Sequence, residues 1–364
     1  MTCRVAGIHP PATGRLPPVN ESFIRTRVVN GVGEVQLDRP GALNALDRSM
    51  IRDVRSSLLA WRDDPAVTAV LVTSTSDRAF CAGGDVKPVR EVALEGRFDT
   101  VREYFADEYR LDELVATYPK PYLAVLDGVT MGGGLGISVH GAVRVTTEKT
   151  TMAMPETAIG FVPDIGSSHF LPRLRGTTAR CDAVGMYLGL TGARIDAGDA
   201  LAVGLATHYV PSARIDDFAD RIRAGQWRDA LDEFVEPSPE SSLAQRFPDI
   251  ETVFGDGTVL DMVNRLDVLT DIDATWAEQT RAALRSLSPT SVWATAELLR
   301  RGAESTLEEC FARELDVAVR VAATPDFAEG VRAVLVDKTR DPGWSPATLV
   351  DVDPGAIAAL FGDR

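Results

Sequence analysis

Two carboxylates, Glu156 and Asp164, stand eight residues apart in the stretch Met152–Leu174, MAMPETAIGFVPDIGSSHFLPRL. A carboxylate can take a proton, pass one on or attack a carbonyl carbon. Each of these follows a proline, Pro155 or Pro163, and Gly160 and Gly166 come after them. Proline fixes φ and glycine admits positive φ, so the backbone reads as a shaped loop. Apolar residues (Ile159, Phe161, Val162, Ile165, Phe170, Leu171) surround the acids. Such company raises a carboxylate's pKa unless a partner holds the charge, and raised carboxylates make useful acids and bases. The same residues also fit a buried turn in which Asp164 N-caps the next helix.

Two glycine clusters upstream favour chemistry. Ala79-Phe80-Cys81-Ala82-Gly83-Gly84-Asp85 follows the apolar β-branched run at 67–73, and Gly128–Gly136 follows the run at 121–127. Each reads as a buried strand giving way to glycines and then to a helix. By itself each junction fits a tight turn. Together they offer backbone N–H groups that can converge on one carbonyl oxygen, an oxyanion hole worth roughly 3–4 kcal/mol per donor. The second cluster lacks the spacing of a dinucleotide fingerprint and the Gly-Lys-Ser/Thr of a phosphate loop. Asp85 reads as a cap or turn residue and Cys81 as a small buried filler. His140 and His169, in apolar helix-like company, read as structural.

The elements that must position these groups follow in order. Residues 23–29 and 32–37 alternate as strands about the hairpin signal Asn30-Gly31. Asp47 caps a helix to Trp61. Residues 87–118 read as helical, with Tyr104, Phe105, Tyr109, Leu111 and Leu114 inward, and 142–147 as a further strand. Leu171 to Val210 reads as helix, turn and helix, with Asp196 opening the second. Beyond Pro211 the pattern is helical, with a looped stretch at 237–249 and helices at 258–269, 274–287, 289–301, 305–322 and 326–336. This gives three parts: a disordered tail at 1–21, an α/β core at 22–210 carrying the site, and a helical region at 211–364.

At 364 residues, 45% hydrophobic and 25% charged, the chain has the make-up of a globular protein with a full core. A net charge of −15 argues against nucleic acid as partner. No apolar run has the ~18–20 residues of a membrane span. Cys3, Cys81, Cys181 and Cys310 lack metal-type spacing. No metal is expected, and with no export signal visible the expected compartment is the cytoplasm.

The order AFCAGGD, MGGGLGISVHG, MPETAIGFVPDIG resembles the enoyl-CoA hydratase/isomerase (crotonase) superfamily over roughly residues 22–350. KPYLAVLDGVTMGGGLGISVHG, MPETAIGFVPDIGSSHFLPRL, LSPTSV at 287–292 and PDFAEGVRAVLVDKTRDPGWSP at 325–346 narrow the resemblance to its 3-hydroxyisobutyryl-CoA hydrolase branch. The resemblance implies a crotonase-like ββα spiral followed by C-terminal helices. It implies an oxyanion hole from the N–H groups of Gly84 and Gly133, with Glu156 as a catalytic acid. It also implies that backbone near Gly41, Ala42, Leu43 and Ala82 grips coenzyme A, beside Gly83, Asp85 and Gly132. Hydratases carry a second glutamate where this chain has Gly136, and most have glycine where it has Asp164. The expected reaction is therefore hydrolysis of a short 3-hydroxyacyl-CoA thioester, with Asp164 orienting the 3-hydroxyl or passing a proton. No cofactor is implied beyond the substrate's coenzyme A, and a homo-oligomer, trimer or hexamer, is implied. The alternatives are an enoyl-CoA isomerase or hydratase, and a non-catalytic acyl-CoA-binding protein.

Overall fold

A hairpin opens the fold: β1 (Ile24–Val29) and β2 (Val32–Leu37) pair antiparallel. Asn30 and Gly31 both take positive φ, 47° and 80°, as a turn that follows the strands' twist requires. The computed structural model describes residues 22–176, 182–269 and 274–363, so the tail expected at 1–21, Cys3 and Cys181 lie outside the described residues. Helix α1 (Arg48–Arg62) starts where Asp47 accepts the amides of Ser49 and Met50. Such a cap is worth about 1 kcal/mol.

Three turns of a spiral follow. The first holds β3 (Ala69–Ser74), β4 (Ala79–Cys81), α2 (Val86–Leu94) and α3 (Phe98–Ala116). The second holds β5 (Tyr122–Leu126), β6 (Val129–Met131) and α4 (Gly133–Val139). The third holds β7 (Val143–Thr146) and β8 (Thr151–Ala153), and leads into the carboxylate loop. After that loop come α5 (Ser167–Phe170), α6 (Asp182–Thr191), α7 (Ala197–Val203) and β9 (His208–Tyr209). The longer strands form one sheet, β1-β2-β3-β5-β7-β9, parallel from β2 onward, and the short ones a second parallel sheet, β4-β6-β8. This is the expected ββα spiral.

The central strands β3 and β5 of the large sheet are buried on both faces, which is why they read as continuous apolar runs. Val70 and Val72 face a core shared with Leu58 and Phe105, while Ala69 and Leu71 face Phe218, Ile222 and Phe234. Those last three belong to α8 (Ile215–Arg223) and α9 (Trp227–Phe234). The remaining helices are α10 (Phe247–Phe254), α11 (Val259–Leu269), α12 (Ala274–Ser286), α13 (Pro289–Gly302), α14 (Leu307–Ala322), α15 (Pro325–Val331) and α16 (Pro354–Leu360). They continue the first core: Phe161 of the carboxylate loop lies between Phe105 on α3 and Phe327 on α15, with ring centroids 5.2 and 5.5 Å away.

The helical stretch expected at 87–118 is two helices, parted at Gly96 with φ 72°. Leu114, expected inward, is only half-buried. The helix expected at 326–336 begins at Pro325 and widens into a π turn over Arg332–Val336. Strands β4, β6, β8 and β9 carry no clear signal of their own, because two or three residues become a strand only through their partners.

Candidate active site

The two glycine turns meet at the ends of β4 and β6. A Cβ on Gly133 would lie 3.2 Å from the Gly84 nitrogen, and one on Gly83 would lie 3.7 Å from the Gly133 nitrogen. Glycine is required at 132, where φ is 46° and a Cβ would come within 2.7 Å of Glu156 Oε1. Among the described residues, the amides of Gly84 and Gly133 donate to no backbone acceptor. Two neighbouring free amides are the raw material of an oxyanion hole.

The loop expected to meet coenzyme A is tied to the same place. Leu43 O accepts from Ala82 N at 3.0 Å, and Gly83 O accepts from Leu46 N at 2.8 Å. Leu43 and Asn44 are both left-handed, with φ 51° and 56°. Buried Asn44 holds that shape: its amide nitrogen donates to Phe80 O at 3.0 Å and its side-chain oxygen accepts from Arg39 N at 2.8 Å. Asn is the non-glycine residue best suited to this conformation, a signal that could have singled it out. Gly41 is exposed on the loop's outer side, with Ala42 half-buried beside it. Asp85 sits at the N-cap of α2 but makes no capping bond; its carboxylate instead accepts from Arg39 Nη1 at 2.9 Å. Cys81 is buried, and burial pushes its thiol up to about 12, as suits a filler.

Glu156 opens a 3-10 turn, Glu156–Ile159, directly after β8. It is 7% exposed and its Oε2 has no partner. Burial, then the charge of Asp164, pushes its carboxyl well above the usual range. Asp164 is 5% exposed and accepts from Tyr109 Oη at 2.7 Å. Burial lifts Asp164 to about 7. The capping alternative for Asp164 is corrected here. The N-cap of α5 is Gly166, without a side-chain cap, and the carboxylate turns instead to Tyr109.

Backbone strain marks the same loop. Ile165 has φ 59°, a left-handed conformation that a β-branched residue rarely adopts. Two supports hold it. His140 Nε2 lies 3.0 Å from Ile165 O, and since a carbonyl only accepts, that nitrogen carries the hydrogen. Burial pushes His140 down to about 4, so the ring is neutral and structural, as expected. The second support is Glu314 on α14, which accepts from Gly166 N at 2.6 Å, Ser168 N at 2.8 Å and Ser168 Oγ at 2.6 Å. It caps α5 from a distance of 146 residues along the chain. His169 is partly exposed at the edge of α5 and is pushed down by burial.

Two further acids escaped the sequence reading. Glu108 and Asp112 lie one turn apart on the buried face of α3, 2% and 0% exposed. Glu108 Oε1 and both oxygens of Asp112 have no partner. A Cβ on Gly133 would sit 2.3 Å from Glu108 Oε1, and one on Gly84 would sit 3.6 Å from both of its oxygens. Asp112 fills the space in front of Gly136, where a Cβ would meet its carboxyl at 2.7–2.9 Å. The signal was present: Tyr104, Glu108, Asp112 and Val115 share one helical stripe, and acids interrupt its apolar run. Nearby, a cavity of about 360 Å³ opens between α1, α2 and α3. Asp85 and Tyr104 line it, but none of the buried acids does. Among the described residues, no three of His, Cys, Asp and Glu are set to share a metal ion.

Known proteins resemble this chain in sequence and fold. A family model described as enoyl-CoA hydratase/isomerase matches residues 32–361. The chicken protein named "3-hydroxyisobutyryl-CoA hydrolase, mitochondrial" is 38% identical over 347 residues, 91% of this chain and 86% of its own. The Arabidopsis thaliana protein named "3-hydroxyisobutyryl-CoA hydrolase 1" is 37% identical over 354 residues, 94% of this chain and 92% of its own. Among solved structures, a carnitinyl-CoA dehydratase from Mycobacterium thermoresistibile superposes with TM-score 0.88 at 36% identity, covering 94% of this chain and 96% of its own. An enoyl-CoA hydratase from Rhodobacter sphaeroides 2.4.1 gives 0.86 at 34%, covering 94% and 98%. The mitochondrial name of the chicken relative lends no support to the cytoplasmic placement expected above. Among the described residues, no helix is long and apolar enough to cross a membrane.

Proposed function

The chain belongs to the enoyl-CoA hydratase/isomerase family, and within it we propose that this protein hydrolyses the thioester of a short 3-hydroxyacyl-CoA, 3-hydroxyisobutyryl-CoA foremost. The observation that carries this reading is the pair Gly136 and Asp164. At Gly136 the second glutamate of a hydratase is missing, and Asp112 occupies the space it would enter. At Asp164 a buried carboxylate held by Tyr109 stands where most hydratases carry glycine.

The groups at the glycine turns and on the carboxylate loop support such a reaction. The amides of Gly84 and Gly133 take the thioester oxygen and stabilise the negative charge that grows on it. Glu156, against Gly132, supplies the oxygen that reaches the carbonyl carbon, either its own or that of a water it deprotonates. Asp164 and the Tyr109 hydroxyl read the 3-hydroxyl of the acyl group. The loop at Gly41, Ala42 and Leu43, with Ala82 beneath it, borders the coenzyme A path, together with Gly83 and Asp85. The substrate brings the only coenzyme this reading requires.

The hydratase and dehydratase names of the two solved relatives favour a second reading, addition of water to an enoyl-CoA. A panel of acyl-CoA esters scored for free thiol, beside crotonyl-CoA scored for loss of its double bond, separates the two. The expected result is thiol release from 3-hydroxyisobutyryl-CoA, with kcat lowered by about 10²–10⁴ in Glu156→Gln at little change in KM. Hydration without thiol release defeats the hydrolase reading.

A further inference from the structure

Glu108 has no structural occupation. It is 2% exposed, its Oε1 has no hydrogen-bond partner, and it makes no ion pair among the described residues. A buried carboxyl left this way costs stability, and a leucine at that position on α3 would avoid the cost. Its position is specific, however. Its carboxyl lies close to both Gly84 and Gly133, the two residues whose free amides would take the thioester oxygen in the hydrolase reading. Glu156 lies against Gly132 of the same turn. Both carboxyls therefore border the turn at which a carbonyl carbon would be held by those amides.

Building on the hydrolase reading, we propose that Glu108 is a third catalytic carboxylate, protonated in the resting enzyme, which hands its proton to the sulfur of the departing coenzyme A. The attack joins an oxygen to the acyl carbon, and the carbon–sulfur bond then breaks with its electron pair on sulfur. The Glu108 proton goes to that sulfur and leaves free thiol and a Glu108 carboxylate. The water consumed provides the acyl oxygen and returns one proton to Glu108, while the other passes to solvent as the product acid ionises.

The surroundings suit a neutral acid. Tyr104, Tyr109 and Asp112 on α3, Asp164 and Glu156 on the carboxylate loop, and Cys81 on β4 are titratable groups in its electrostatic field. None of them is a cation. Burial, then the charge of Asp164, pushes Glu108 up to about 8. A free thiol ordinarily titrates near 8.5, so donor and leaving group are matched.

The test uses the full chain as wild type, Glu108→Gln, Glu108→Asp and Glu156→Gln, with thiol release from 3-hydroxyisobutyryl-CoA followed from pH 6 to 9.5. A non-hydrolysable S-alkyl-CoA thioether reports binding, and thermal melts report folding. The expected result for Glu108→Gln is kcat lower by about 10²–10⁴ with thioether affinity unchanged and Tm not lowered. Wild-type kcat falls as pH rises through about 8, where Glu108 loses its proton, and this limb is absent from Glu108→Gln. Glu108→Asp keeps the limb at a reduced rate. Three results overturn the proposal: Glu108→Gln turnover within about threefold of wild type, a loss confined to thioether affinity, or a basic limb that survives in Glu108→Gln. A wild type that releases no thiol defeats the hydrolase reading and this proposal together. An active wild type with an unaffected Glu108→Gln defeats only the role of Glu108.

Discussion

Substitution at Gly136 probes why this chain departs from the hydratase pattern. An alanine there would place its Cβ 2.7 Å from Asp112 Oδ1 and 2.9 Å from both Cγ and Oδ2. Because Cγ itself is in contact, turning the carboxyl about its own bond does not clear the clash. Either χ1 of Asp112 changes, on a helix that restricts it, or α3 and α4 move apart. Overpacking of this kind costs about 1–3 kcal/mol, or roughly 1–4 °C in Tm for a protein of this size. Gly136→Glu adds a third buried carboxyl beside Glu108 and Asp112 and is expected to cost more. It yields no efficient hydratase, because the space that would hold its carboxylate is occupied. Truncating the neighbour in Gly136→Ala/Asp112→Ala should recover most of the alanine penalty. The coupling is read from melts of the wild type, both single variants and the double variant, with crotonyl-CoA hydration followed by absorbance. A Gly136→Ala protein as stable as wild type, or a double variant that shows no recovery, refutes the packing argument. Efficient hydration by Gly136→Glu refutes the claim that no room remains.

Other expectations follow from the same geometry. Asp164→Asn and Tyr109→Phe should each erode the preference for 3-hydroxyisobutyryl-CoA over isobutyryl-CoA by ten-fold or more, on the order expected when a buried polar reader is lost. An unchanged ratio of kcat/KM for the two esters removes them from recognition. Glu314→Ala leaves two amides and a hydroxyl in the Asp164 loop without their acceptor and should cost about 3–5 kcal/mol, lowering both Tm and kcat. A melt like that of the wild type would show that the loop holds its shape without α14. Stability should fall between about pH 6.5 and 9. Asp164 at about 7 and Glu108 and Glu314 at about 8 stay protonated in the fold where the unfolded chain has already ionised, so their contribution is lost as pH rises through those values. His140, held at about 4, acts with the opposite sign, but only below about 6.5, where the unfolded histidine gains its proton. A Tm that is flat or rising from pH 6.5 to 9 contradicts these burial effects.

Local chemistry in the sequence was enough for much of this protein. Asn30-Gly31 has one favourable turn, Asp47 and Asp196 have amides two or three residues ahead to cap, and the proline and glycine frame around Glu156 and Asp164 allows little but a shaped loop. The glycine turns before Asp85 and within Gly132–Gly134 were legible for the same reason, since only glycine lets backbones approach so closely. What the sequence could not decide was which distant groups would meet. Asp164 had a capping role available in its own neighbourhood, and the fold gave it Tyr109, 55 residues away, while Glu314 took over the cap. Glu108 and Asp112 lie in a strongly charged helix, where acids ordinarily face water. The stripe they share with Tyr104 and Val115 points them inward, but only the packing of α3 against the glycine turns shows what they meet there. The short strands β4, β6 and β8 have the same origin, since their strand pairings all run to residues more than twenty positions away. Side-chain type and near spacing fix a group's intrinsic reactivity and its local turn. Its burial, its partners and therefore its protonation state are set by long-range contacts, which no local pattern encodes.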